Sequence, residues 1–339
     1  MRVAINGFGR IGRCALRAAL AREDCAVLDF VAINELAPPR SIHYLTSYDS
    51  THGRFPGSVQ LDGECLVVTA STGRQHRLSL SAEPQPQRLG WRALNVDLVL
   101  ECSGQITDAA SARAHIAAGA QRVLLSNPGE APIPAIVCGV NSSDLNVSET
   151  VVSAASCTSN ALIPVLQVLH RQFGIDNGII TTVHASMHDQ PVIDAYHSSD
   201  LRRNRAASES IIPVDTELAA GIGRVLPELD GKFAAHALRV PVSNVSALNI
   251  TVNLASEVSC ESVNRAMQKA AGSELAGVLG VTSEQLASCD FNGDSRSGII
   301  DTLQTRVSGG RTVNLLVWFD NEWAFANRML DLALLMSKH

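Results

Sequence analysis

Aromatic residues make up only 4% of the chain, and 27 lysines and arginines are outnumbered by 33 aspartates and glutamates. The resulting net charge of −6 argues against a nucleic-acid partner, which normally requires a basic surface. No apolar run is long enough to span a membrane, so no membrane partner is expected. A secretory leader is not expected either, because Asn6-Gly7-Phe8-Gly9-Arg10 interrupts any apolar segment at the N-terminus. The eight cysteines include no C-x-x-C pair, which removes the usual zinc ribbon and any evident disulfide framework. A reducing, cytoplasmic setting is the expectation, and free thiol chemistry is available there. Repeats and low-complexity tracts are absent.

What is present is a chain of 339 residues, 46% hydrophobic, enough for two domains with large cores. Arg2 to Ile5 reads as a buried strand and Arg13 to Ala21 as a helix. Between them stands Gly7-Phe8-Gly9-Arg10-Ile11-Gly12, a G-x-G-x-x-G in the strand-to-helix context of a dinucleotide site. Gly7 permits the tight turn, Gly9 lets backbone approach a pyrophosphate, and Gly12 allows close helix–strand packing. A second strand, Val27 to Ile33, ends at Asn34-Glu35. A carboxylate there accepts from a ribose 2′-hydroxyl and repels a 2′-phosphate, which points to NAD; Arg40 nearby leaves NADP open.

Short alternating runs at Val59 to Leu61 and Leu66 to Thr69 suggest inserted strands, and Tyr48 to Gly53 reads as a polar turn. Val96 to Glu101, Val123 to Ser126 and Ile136 to Val140 read as further buried strands, with a helix over Ala109 to Ala118. This alternation predicts a parallel, doubly wound Rossmann-type sheet over residues 1–156. Ligands in such sheets lie at the carboxyl ends of strands, where Ser126 falls.

Beyond residue 157 long alternating runs dominate: Gly178 to His184, Ala234 to Val240, Val245 to Leu254 and Val313 to Phe319. Helical stretches cover Thr216 to Val225 and Cys260 to Ala271. An α+β domain with a mostly antiparallel sheet is therefore expected over 157–320. The segment 321–339 is expected to return as a helix to the first domain.

Cys157, in Ser156-Cys157-Thr158-Ser159-Asn160, falls where a strand (Val151 to Ala155) meets a helix (Asn160 to Gln172). Helix N–H groups and the helix dipole favour a thiolate there. A half-buried structural cysteine is the competing reading. His184, at a strand end, is a candidate base or thiolate partner, though a lone histidine is more often structural. His188 follows four residues later without a third ligand at a familiar spacing, so no metal is expected. Beside a nicotinamide site, a reactive thiol suggests aldehyde oxidation through a thiohemiacetal and a thioester. The Cys157 N–H would face the oxyanion. Thr216 and Arg239 are natural phosphate ligands, with a structural ion pair equally open for Arg239. The basic run Asp200 to Arg205, containing Arg202, reads by itself as a solvated surface turn, as a charge run usually is.

Taken together, these residues resemble the glyceraldehyde-3-phosphate dehydrogenase superfamily over essentially the whole chain. The motifs are Asn6 to Arg13, Tyr48 to Gly53, Ser156 to Asn160, Arg239-Val240-Pro241 and Asp320-Asn321-Glu322-Trp323. The resemblance implies Cys157 as nucleophile and His184 as base. It implies Asn321 beside the nicotinamide amide, and Ser156, Thr158, Thr216 and Arg239 around a phosphate or attacking anion. Arg202 joins the substrate set, and the loop carrying it is expected at the cofactor of a neighbouring subunit in a homotetramer. The glycolytic pattern of threonines after the histidine is missing here. In their place stand Met187, which cannot donate to phosphate, and Asp189, which would repel it. The run from Met187 to His197 looks instead like the branch that oxidises erythrose 4-phosphate and releases the acyl group with water. So does the run from Asp200 to Thr216. Its product, 4-phosphoerythronate, is a precursor of pyridoxal phosphate. The phosphorylating enzyme is the alternative, and a non-catalytic NAD-binding protein is the alternative of another class.

Overall fold

The computed structural model describes every residue of the chain except 147, 197, 198 and 339. His197, the last residue of the run after Met187, therefore lies outside the described residues. The chain divides into two compact units, Met1–Ser156 with Phe325–His339, and Cys157–Ala324.

The first unit is built on an eight-stranded sheet. Its order is Val151–Ser153, Arg122–Leu125, Leu98–Glu101, Arg2–Asn6, Asp29–Asn34, Gln75–Ser81, Cys65–Ala70 and Gly57–Asp62. The first six strands are mutually parallel, as a doubly wound sheet requires. The last two are antiparallel additions that extend the edge. The central strands carry Val3, Ala4, Ile5, Ile33, Leu98, Val99 and Leu100 with almost no exposure, so they read as continuous apolar runs rather than alternating ones.

Several local expectations differ from what is found. The run Ile136 to Val140 is not a strand; the segment meets the sheet only at its start, where Ala135 bridges Ser153 and Ile136 N–H donates to Ser153 O. Its apolar residues are buried as packed loop, which hydrophobicity alone cannot distinguish from a strand. Val27 belongs to a 3-10 turn, Asp24–Val27, that precedes the second strand. Pro39–Ser47 is a helix, opened by Pro39 at its first position, and Tyr48–Asp49 pairs with Gly53–Arg54 as a small hairpin.

The second unit carries another eight-stranded sheet. Its main path runs Ile212–Val214, Phe233–Arg239, Ile175–His184, Ser246–Leu254, Thr312–Phe319, Gly298–Asp301 and Leu279–Thr282; Arg306–Ser308 also pairs with Thr312–Phe319. Most pairings are antiparallel. Two are parallel, and one of these places Ile175–His184 beside Phe233–Arg239. Helices Cys157–Phe173 and Cys260–Ala271 belong to this unit. Gly174 closes the former at φ +70°, a left-handed backbone that glycine adopts without strain. The latter is capped by Ser259, whose hydroxyl accepts from Ser262 N–H. No helix among the described residues is long and apolar enough to cross a membrane.

Candidate active site

The glycine turn is sterically committed. Gly7 sits at φ +85°, and a Cβ there would lie 2.4 Å from Ser103 N. A Cβ on Gly12 would meet Gly7 O at 2.4 Å, so the helix Arg10–Ala21 rests directly on the turn. Gly9 is different: nothing lies within 4 Å of its Cβ position. It caps the helix, whose start carries no side-chain cap and no acidic residue in the first turn. That arrangement fits a pyrophosphate approaching the N–H groups of Arg10 and Ile11. The Arg10 guanidinium is turned away onto Asp49, so its backbone is what remains for an anion. Glu35, at the end of Asp29–Asn34, accepts from Phe8 N–H at 2.8 Å and Ala37 N–H at 3.2 Å. Its carboxylate is thus fixed against the glycine turn, where a ribose hydroxyl would meet it.

Beneath the turn lies a polar network that sequence reading missed. Glu101 is fully buried and accepts from Asn6 at 2.5 Å and Ser103 N–H at 2.8 Å, with His115 Nε2 at 2.9 Å. Trp91 Nε1 donates to His115 Nδ1 at 3.0 Å, so the ring's Nε2 carries the proton toward Glu101. A lone glutamate closing the apolar strand Leu98–Glu101 was the available signal. Ser126 ends the neighbouring strand and donates its N–H to Glu101 O at 2.9 Å.

Ser153, buried at the end of its strand, donates to Asn127 O at 2.5 Å and accepts from Ala155 N–H at 2.9 Å. Ala155 is held at φ +59°, a strained region for a residue with a Cβ. The chain turns there, and Cys157 opens the helix Cys157–Phe173.

Cys157 Sγ lies 3.7 Å from His184 Nε2 and 3.8 Å from Thr158 Oγ1. His184 Nδ1 is 2.8 Å from Ala185 O; a carbonyl only accepts, so Nδ1 bears a proton and Nε2 is left to face the thiol. Burial opposes ionisation of Cys157, but the hydrogen bond and charge of His184 outweigh it and hold the thiol below its usual range. Burial likewise disfavours charged His184, and Cys157 outweighs it, so the imidazole is raised. Three other thiols move the opposite way: burial pushes Cys25 to about 11 and Cys138 to about 12, and raises Cys102 further. Each group thus favours the charged form of the other, the thiol shifted toward thiolate and the imidazole toward imidazolium. Phe319 packs its ring edge-on against His184 at 6.2 Å between centroids.

A second missed feature fixes Asn321. Ser246 Oγ accepts from Ala185 N–H at 3.0 Å, so its own proton goes to Asn321 Oδ1 at 2.9 Å. The amide is thereby oriented with Nδ2 presented.

Arg239 is the register partner of His184 across the parallel strands. Its buried guanidinium meets Asp189: Nη1 lies 2.8 Å from Oδ1, and Nη2 donates to Oδ2 at 3.1 Å. Of the two readings left open for Arg239, the ion pair is the one observed. Nη1 also donates to Gln190 Oε1 at 3.2 Å, and Nη2 lies 3.5 Å from Met187 Sδ. Arg203 reaches the same Asp189 carboxylate. Arg202 does not join this group: it is exposed, its N–H donates to Asp200 Oδ1 at 3.0 Å, and among the described residues its side chain has no bond to Cys157, His184 or Arg239. Thr216 is half-buried, and its hydroxyl accepts from Leu218 N–H at 3.3 Å, at the start of helix Leu218–Val225. Ser156 is half-buried beside Cys157, and His188 is exposed.

Residues 1–109 match the family description "Glyceraldehyde 3-phosphate dehydrogenase, NAD binding domain", and residues 156–321 match "Glyceraldehyde 3-phosphate dehydrogenase, C-terminal domain". The first unit is thus an NAD-binding domain. With both halves matched, the chain belongs to the glyceraldehyde-3-phosphate dehydrogenase superfamily and is an NAD-dependent oxidoreductase of that type.

Proposed function

We propose that the chain oxidises erythrose 4-phosphate with NAD and releases 4-phosphoerythronate by hydrolysis, as a cytoplasmic homotetramer supplying pyridoxal phosphate synthesis. The observation that carries the choice of branch is the Asp189 carboxylate on Arg239, where the glycolytic pattern would present hydroxyls to a phosphate. Exposed Val192, Ile193, Tyr196, Leu201 and Ile211 are consistent with subunit contacts.

The chemistry follows from the thiol–imidazole pair. The Cys157 thiolate adds to the aldehyde carbon, and the carbonyl oxygen takes the proton of His184 Nε2. The Cys157 N–H at the helix start faces the developing oxyanion. His184 then recovers that hydroxyl proton as the carbon loses hydride, leaving a thioester on Cys157. Bound NAD supplies the hydride acceptor. Gly7, Gly9, Arg10, Ile11 and Gly12 would hold its pyrophosphate, Glu35 its ribose, and Ser126 and Asn321 the nicotinamide end. His184 releases that hydroxyl proton to solvent and then deprotonates a water whose oxygen bonds the acyl carbon; the carbon–sulfur bond breaks, the acid leaves, and the thiolate returns beside the imidazolium. Ser156, Thr158 and Thr216 are the residues assigned to the phosphorylated substrate; Arg239 would join them only by exchanging its bond to Asp189, and Arg202 stands apart from the group.

The deciding experiment compares NADH formation from erythrose 4-phosphate and glyceraldehyde 3-phosphate, with and without inorganic phosphate. Phosphate-independent oxidation of the four-carbon aldehyde is expected. Strict phosphate dependence with the three-carbon aldehyde would make the protein the phosphorylating enzyme instead. A Cys157 thiol no more reactive than a free one would favour a non-catalytic NAD-binding protein.

A further inference from the structure

We propose that Asn6 and Asn34 are positioning residues for the dinucleotide. With Ser81 and Glu101 they form one buried hydrogen-bonded row across four strand ends, and the row fixes the spacing of the loops that meet the ribose and the pyrophosphate of NAD. This rests on the cofactor placement proposed above and adds the residues that set its span.

Four neighbouring parallel strands end on polar side chains. Gln75–Ser81 ends on Ser81, Asp29–Asn34 on Asn34, Arg2–Asn6 on Asn6 and Leu98–Glu101 on Glu101. These residues are register partners in turn: Ser81 with Asn34, Asn34 with Asn6, and Asn6 with Glu101. Partners in register send their side chains to the same face, so the four stand side by side. Three strand spacings of about 4.8 Å carry the row across roughly 14 Å of the sheet edge.

The row is bonded throughout, and in one direction. Ser81 Oγ donates to Asn34 Oδ1 at 2.9 Å, Asn34 Nδ2 to Asn6 Oδ1 at 2.7 Å, and Asn6 Nδ2 to Glu101 Oε2 at 2.5 Å. His115 closes the far end, its Nε2 2.9 Å from the same Glu101 oxygen. The Ser103 N–H and hydroxyl donate to the other oxygen. Glu101 thus accepts four donors, and the amide dipoles line up toward it; aligned bonds of this kind strengthen one another. Asn6 and Asn34 are each 5% exposed and Glu101 is fully buried. Apolar side chains would fill this edge at a lower desolvation cost. What the polar row adds is a fixed relation between the strand ends.

Three of its members lead directly into loops at the cofactor site. Glu35 follows Asn34, Gly7 follows Asn6, and Cys102-Ser103-Gly104 follows Glu101. Backbone bonds interlock these loops as well: Gly7 N–H donates to Asn34 O at 2.9 Å, and Cys102 N–H to Asn6 O at 2.7 Å. A dinucleotide lying over the carboxyl ends of these strands meets the Glu35 carboxylate and the glycine turn at a separation that the row sets. Two held groups reinforce each other on one ligand only when their spacing matches it. A loosened spacing therefore weakens the whole ligand and spares a fragment that meets one group alone.

The test titrates the full chain with NAD and, separately, with adenosine, which carries the ribose and no phosphate. Asn6→Ala interrupts the row at its middle. Its Kd for NAD should rise about tenfold, while its Kd for adenosine should stay within about twofold of wild type. Asn34→Ser retains a hydroxyl that falls short of Asn6, and it should do the same. The double variant should weaken NAD no further than either single one, because both cut the same row. Leu66→Ala removes a buried side chain from an added antiparallel strand of the same sheet. It should lower the melting midpoint and leave both affinities at wild type. The proposal is overturned if folded Asn6→Ala and Asn34→Ser bind NAD as wild type does, if NAD and adenosine weaken by one factor, or if the two losses add. Unchanged NAD affinity in Gly9→Ala would remove the cofactor placement itself, and the proposal with it.

Discussion

Ser246 relays a hydrogen bond from Ala185 N–H to Asn321 Oδ1, and so joins the residue after the base to the amide assigned to the nicotinamide. Ser246 itself follows Val245, which is held at φ +65°. A β-branched residue in that region costs on the order of 1–3 kcal/mol, and the packing of Val245 with Phe291 and Ile299 offsets it. The strain is placed where it sets the start of the strand Ser246–Leu254.

Ser246→Ala should therefore leave Ala185 N–H without its acceptor and let the Asn321 amide rotate. A stability loss of about 1–3 kcal/mol is expected from the unsatisfied buried groups. Turnover should fall about tenfold, equivalent to about 1.4 kcal/mol of barrier. Cys157 alkylation, which does not involve Asn321, should keep its wild-type rate. Unchanged turnover in a folded variant would mean that Asn321 needs no orientation.

Alkylation also tests the pair itself. The Cys157 pKa is lowered, so the thiolate appears as pH rises through a value below the ordinary thiol range of about 8.5. The raised His184 keeps its proton to a higher pH than an ordinary imidazole does. The midpoint of the iodoacetamide rate profile should thus lie below the ordinary thiol value. In His184→Asn the inflection should move up toward the ordinary value, while Cys157→Ser should abolish turnover and still bind NAD. An unmoved inflection in His184→Asn would assign the activation to the helix end rather than to the imidazole.

How much of this was legible depends on the distance over which each feature is encoded. The glycine turn was readable because Gly7 and Gly12 answer to atoms of their own loop and its neighbour strand. The helix Cys260–Ala271 was readable because apolar spacing and its serine cap are local. The relay through Ser246 was not, since it joins residues 75 positions apart and depends on the register of two antiparallel strands. Asn6 and Glu101 are 95 positions apart and meet only through parallel register. Asp189 was recognisable as hostile to phosphate, but its placement on Arg239 required the loop's path. Arg202 and Arg203 are indistinguishable as neighbours in a basic run, and a half-turn decides which one reaches the carboxylate.

The glycines separate a folding role from a binding role. Gly7→Ala places a Cβ 2.4 Å from Ser103 N at φ +85°, so backbone must shift. A loss of at least about 2 kcal/mol is expected, with NAD affinity falling alongside. Gly9→Ala meets nothing within 4 Å and has φ −73°. Its thermal midpoint should stay near wild type while NAD binding weakens about tenfold, because the added methyl stands where the pyrophosphate approaches. Paired melting and NAD titration distinguish the two. Equal NAD affinity in Gly9→Ala and wild type would move the pyrophosphate away from this turn.

Asp49 anchors the same helix from below. Its buried carboxylate pairs with Arg10 and accepts from Thr51 N–H and His52 N–H, each at 2.9 Å. Burial raises its pKa, and the Arg10 bond with the two backbone N–H groups more than reverses this, holding it far below the carboxylate range. A depressed carboxyl stabilises the fold above its unfolded pKa of about 3.9, and that contribution is lost as pH falls through the lower folded value. At neutral pH it is fully present. Asp49→Asn should therefore lose about 1–3 kcal/mol at pH 7, since it leaves Arg10 without its counter-charge, with the exposure of Arg10 keeping the loss below that of a wholly buried pair. As pH falls from the unfolded pKa toward the lower folded one the two proteins should converge, because the unfolded wild-type chain takes up a proton at Asp49 that the folded one resists. Denaturant unfolding at pH 7 and over that interval measures this, and a difference that grows as pH falls would contradict the depressed carboxyl.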